Sequence, residues 1–64
     1  MTDFRVDNRG SIFILNALTP AALQWVEDRL PADRQLWGWR GTVVEPRYVP
    51  PIVEAIRNEG LTIE

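Results

Sequence analysis

Five prolines, at positions 20, 31, 46, 50 and 51, decide where this 64-residue chain can be helical. Proline has no N–H to give a helix interior, and it disfavours helical dihedrals in the residue before it. Two segments can hold a helix: one between Pro20 and Pro31, one beyond Pro50 and Pro51. The rest must be extended or turning.

The first helix is well punctuated. Thr19 is a good N-cap, and Pro20 stands at the first helical position, where a missing N–H costs nothing. Leu18 and Leu23 have the spacing of a hydrophobic staple around that cap. Ala22, Leu23, Val26 and Leu30 then share one face, with Gln24, Glu27 and Asp28 opposite and Trp25 at the stripe's edge. Pro31 ends the element at Leu30. The second helix is expected to begin around Pro50 or Pro51, with Ile52, Val53 and Ile56 inward and Glu54, Arg57, Asn58 and Glu59 outward. Gly60 suits the C′ position, with Leu61 touching Ile56 in a Schellman end.

Between these lie β patterns. Phe4 and Val6 alternate with Arg5 and Asp7. Asp7-Asn8-Arg9-Gly10 is turn chemistry, and Ser11 to Leu15 is a β-favouring run, so an N-terminal hairpin is expected. Residues 35–45 have two readings. One is a single strand with Trp37, Trp39, Gly41 and Val43 on one face; the other, slightly favoured, is a hairpin turning at Trp39-Arg40-Gly41. Leu61 to Glu64 alternates as a short last strand. The sum is one α+β domain over 1–64: two layers, with three to five mainly antiparallel strands and both helices on one face.

Composition narrows the chemistry. With no Cys there is no disulfide framework or thiolate site, and with no His the commonest general base and metal ligand are missing. A chain this short buries only about 60% of its unfolded surface, and the three Trp are large contributors to that burial. Nine acids against seven bases, all Arg, leave a net charge of −2. That is the wrong sign for a dedicated nucleic-acid binder. Met1-Thr2-Asp3-Phe4-Arg5 lacks a signal peptide's pattern, and the apolar run Ile12–Leu15 is too short to span a membrane. A cytoplasmic location is expected, without membrane contact.

The acids are scattered, and adjacent Glu27 and Asp28 do not converge on one substrate atom. No hydroxyl has a histidine to activate it, and no phosphate-binding loop is present. The expectation is a protein without catalytic residues, cofactor or metal. The densest binding feature is Trp37-Gly38-Trp39-Arg40, since Trp and Arg are enriched at interface hot spots. Trp37 and Trp39 point to the same face of a strand, so in a domain this small the favoured reading places both in the core, ahead of exposure at a partner or dimer contact and of stacking on nucleic acid. Arg47 is placed to pair with Glu45 or to reach a partner, and Tyr48 to be a half-buried anchor.

Several strings together form a resemblance: Gly10-Ser11-Ile12-Phe13-Ile14-Leu15, Leu18-Thr19-Pro20-Ala21-Ala22, Trp25-Val26-Glu27, Leu30-Pro31, Val43-Val44-Glu45, Arg47-Tyr48, Ile52-Val53 and Gly60-Leu61. They resemble a family of short open reading frames of bacteria, phages and mobile elements, over residues 10–64. Proteins of that kind include anti-CRISPR inhibitors. The resemblance therefore implies a stoichiometric inhibitor of a type I CRISPR effector, blocking DNA access or subunit assembly. It implies no catalytic residue. The Trp37–Gly41 stretch departs from the family pattern, which has a tighter glycine turn there. On this reading Glu27, Asp28, Asp33, Glu54 and Glu59 supply charge complementarity, and Trp37, Trp39 and Arg40 a hot spot. The alternative is a homodimeric regulatory or adaptor module with no defence target. As an inhibitor, the chain would act as a monomer or a homodimer on a protein partner.

Overall fold

The computed structural model describes residues 1–38 and 40–64. Strands β1 (Phe4–Asn8) and β2 (Phe13–Ala17) form the expected hairpin, with Phe4 opposite Ala17 and Asn8 opposite Phe13. Its turn is built locally. The Asn8 side chain accepts from the Gly10 N–H at 2.8 Å, Gly10 takes φ 90°, and the Arg9 N–H reaches the Ile12 carbonyl at 2.9 Å. A non-glycine residue would be strained at that φ.

Helix α1 (Pro20–Arg29) starts as its punctuation dictates, with Thr19 Oγ1 accepting from the Ala22 N–H at 3.1 Å. It stops where Leu30, before Pro31, turns extended at ψ 152°. Trp25 lies deeper than the stripe's edge. It is buried, with its ring edge-on to Phe4 at 5.7 Å between centroids.

Residues 35–45 resolve in favour of the hairpin. Strands β3 (Leu36–Trp37) and β4 (Gly41–Val44) pair antiparallel, Leu36 opposite Thr42 and Trp37 opposite Gly41. Gly41 is required by space. A Cβ there would collide with the Trp37 carbonyl oxygen and stand 2.9 Å from Ile14 Cγ2. Backbone cannot yield as a flexible side chain can. Gly41→Ala is expected to lower unfolding free energy by about 1–3 kcal/mol through overpacking. Chemical denaturation checks this, and an unchanged midpoint would contradict it.

Beyond β4 the chain begins to coil earlier than expected. Pro46–Tyr48 is a single 3-10 turn that runs directly into helix α2 (Val49–Asn58). Val49 takes φ −63°, ψ −50° despite preceding Pro50. The turn seeded at Pro46 carries it there, its N–H bonded to the Pro46 carbonyl. Pro50 and Pro51 thus sit in the first helical turn, where their missing donors leave no bond unmade. The far end is the expected Schellman cap: the Leu61 N–H bonds the Ile56 carbonyl at 3.2 Å, the Gly60 N–H bonds the Arg57 carbonyl at 3.0 Å, and Gly60 has φ 82°.

The sheet order is β1-β2-β4-β3, all antiparallel. The chain end adds a parallel bridge outside β1, between Phe4 and Ile63, with three backbone hydrogen bonds of 3.0 Å. Both helices pack on one sheet face. Phe4, Leu15, Ala17 and Val44 from the sheet meet Ala22, Trp25 and Val26 from α1 and Ile56 from α2 in one core. This is the two-layer α+β domain that the hydrophobic pattern predicts.

Asp3 locks the two ends of the chain together. Its carboxylate accepts from the Thr19 hydroxyl at 2.7 Å and from the Thr62 N–H at 3.0 Å, and its backbone carbonyl accepts from the Leu18 N–H at 2.7 Å. The Thr62 N–H, and then the Thr19 hydroxyl, hold its pKa below the usual 3.8. A depressed folded pKa means that this contribution is complete above the unfolded value. It is lost as pH falls below about 3.8. Asp3→Asn is expected to lower the melting temperature at neutral pH, with the difference from the parent narrowing near about pH 3. Thermal melts at both pH values check this; a constant difference would contradict it.

Candidate binding surface

Cross-strand register sorts the side chains by face, because partners in an antiparallel ladder point the same way. Phe4, Leu15 and Val44 face the helices. Arg5, Asn16, Gly41 and Trp37 form a row on the other face, with Asp7, Ile14 and Val43 in the row beside it. Neither helix packs on this second face.

Trp37 is 47% exposed and its neighbour Leu36 60% exposed, on the short edge strand β3. Trp37 is therefore not a core residue. The Arg9 guanidinium lies over its ring, 5.3 Å from the centroid, a cation–π contact. Arg9 leaves the end of β1, and β2 and β4 lie between β1 and β3 in the sheet. The contact therefore crosses the middle of the open face. Ile14 occupies that middle and is 1% exposed, although it lies outside the core shared with the helices.

The other expected site residues lie elsewhere. Glu27 is paired with Arg34 at 2.8 Å and Glu59 with Arg29 at 2.9 Å. Asp28 accepts from the Gln24 amide at 3.0 Å. Asp28 and Glu59 line one shallow hollow, with Arg29 between them in charge terms. Glu54 lines a different hollow, beside Pro50, Val53 and Arg57. Asp33 is exposed in the loop after α1. Arg40 is partly buried, its side chain donating to the Ala17 carbonyl at 3.2 Å. Trp39 lies outside the described residues. The structure thus brings Asp28 and Glu59 together, and sets the helix-borne acids and Trp37 on opposite layers.

Sequence reading missed Arg5 and Arg9, which lie far from Trp37 in the chain and only the strand order brings to its face. It also missed a groove of about 570 Å³ between the end of α1, β4 and the start of α2. Leu30, Val44 and Ile52 form its apolar walls, with Arg34 and Tyr48 at its lining. Tyr48 is half exposed, under the Arg47 guanidinium at 4.9 Å, and Arg47 pairs with Glu45 at 3.1 Å. Among the described residues no group of three or more acids could hold a metal ion. No described helix is long and apolar enough to cross a membrane.

No family model, curated protein or solved structure matches this chain. Its surface must be read from its own chemistry. Trp37 presents a half-exposed indole under a guanidinium on the open face, whereas Leu36, opposite Thr42, belongs to the helix-side face of the edge strand. Trp and Arg side chains make large, rigid contacts at protein interfaces.

Proposed function

We propose that this chain is a small non-catalytic binding protein that inhibits a bacterial defence complex, in the manner of an anti-CRISPR protein acting on a type I effector. One observation carries the binding reading: Trp37, stacked with Arg9, stands half exposed on a sheet face without a helix. The resemblance of residues 10–64 to short phage and mobile-element proteins points to the target class. Of the two modes of inhibition, occupying a subunit interface fits this geometry better than covering a basic DNA-binding face with the helix acids. Glu27 and Glu59 already spend their charge on Arg34 and Arg29, and the acids form no single row with Glu54.

Affinity capture from bacteria expressing a type I effector, followed by mass spectrometry, tests the reading. An effector subunit recovered in near-stoichiometric amount is the expected result. Recovery of bait alone would overturn it.

The open edge of β3, with Leu36 exposed, favours one second reading: a homodimer whose β3 strands pair to continue the sheet. Light scattering separates the two, since a tight dimer that buries Trp37 would remove the proposed contact surface.

A further inference from the structure

We infer that the helix-free sheet face docks an acidic segment of a protein partner, with carboxylates on Arg9 and Arg5 and apolar side chains against Trp37. The inference rests on the inhibitor reading and names the chemistry that its surface selects.

Charge complementarity is the first support. The chain as a whole carries −2. The acids Glu27, Asp28, Glu54 and Glu59 all belong to the helices or their ends. Among the described strand residues of the open face Arg5 is the one base and Asp7 the one acid, Arg9 reaches over the face from the end of β1, and Glu45 beyond β4 is paired with Arg47. The Asp7 carboxylate already accepts from the Asn16 amide at 3.1 Å. The face is therefore positive in a negative molecule, so an approaching acidic surface is turned toward it and away from the helices.

Geometry is the second support. Stacking on Trp37 holds the Arg9 guanidinium in place with its donor edge free for a carboxylate fork. Neither Arg9 nor Arg5 forms an ion pair with a described residue. Arg5, Asn16, Gly41 and Trp37 lie in one cross-strand row, which sets a cation at one end of a line and an aromatic ring at the other. An acidic segment with an apolar residue among its carboxylates matches that line. A single nucleic-acid strand fits less well, since Arg9 already covers one side of the ring on which a base would stack.

The test is a two-dimensional amide NMR titration of the isotope-labelled full chain. Three probes are used: a short Glu-rich peptide carrying one Leu, the same peptide with Gln for Glu, and a short oligothymidylate. The expected result is movement of the Trp37 indole signal and of the Arg5, Arg9 and Asn16 amides with the Glu peptide alone. Arg9→Gln should weaken that binding roughly tenfold, as loss of one charge-assisted contact, and added salt should weaken it further. Arg5→Gln should act in the same direction.

Three results would overturn the inference: no shift, shifts confined to α1 and α2, or unchanged affinity in Arg9→Gln. A response to oligothymidylate without one to the Glu peptide would assign the face to nucleic acid instead. No effector is present in this titration. A chain that binds the peptide but captures no effector subunit loses the inhibitor reading alone; the reverse outcome loses this inference alone.

Discussion

Phe4→Ala is expected to leave no stably folded protein at room temperature. Phe4 is 0% exposed and meets Trp25 edge-on at an interplanar angle of 80°. It also carries the backbone junction of the sheet: its strand pairs β2 on one side and the chain end on the other. Truncating a buried phenylalanine costs about 3–5 kcal/mol. A core of this size supplies roughly 3–5 kcal/mol in all. The cost therefore matches the whole stability of the domain. Far-ultraviolet circular dichroism and the spread of amide signals measure the outcome. Phe4→Leu, which keeps most of the apolar volume, should remain folded with a lower melting temperature. A cooperative, native-like melt for Phe4→Ala would contradict this account of the core.

Trp37→Ala has the largest expected effect on binding. The ring is half exposed, so its removal takes little from the core, apart from the cover that crosses Ile14. At an interface, truncating a central Trp costs about 2–4 kcal/mol, which is a loss of roughly 30-fold or more in affinity. Binding of the captured effector subunit, measured by titration calorimetry, checks it. Circular dichroism must show the parent fold. An unchanged affinity in a folded Trp37→Ala protein would move the contact surface to another part of the molecule.

Much of this fold was legible in local punctuation. Thr19 and Pro20 start α1, Pro31 stops it, and Gly60 closes α2 in the Schellman cap, all by short-range chemistry within a few residues. The Asn8–Gly10 turn is equally local. What local pattern could not supply is strand order. The chain passes through α1 between β2 and the β3–β4 hairpin, and β4, not β3, then joins β2. That choice places Trp37 on an edge and turns a possible core residue into a surface one. It also brings Arg5 and Trp37 into one row across four strands. Helical periodicity set the acids of α1 and α2 outward correctly, but not their Arg partners. Arg29–Glu59 and Arg34–Glu27 span 30 and 7 residues. The start of α2 was misplaced for a related reason: the proline-before rule describes an isolated peptide, and the 3-10 turn at Pro46 overrides it at Val49. Asp3 had no local signal, since its partners Thr19 and Thr62 are distant in the chain.

Inhibition is tested most directly by target-DNA binding of a type I effector assembled in the presence of increasing amounts of this protein. DNA binding is expected to fall to background near equimolar protein, with Trp37→Ala and Arg9→Gln each shifting the curve to higher concentration while remaining folded. Full DNA binding in the presence of a large excess of the folded parent protein would contradict inhibition.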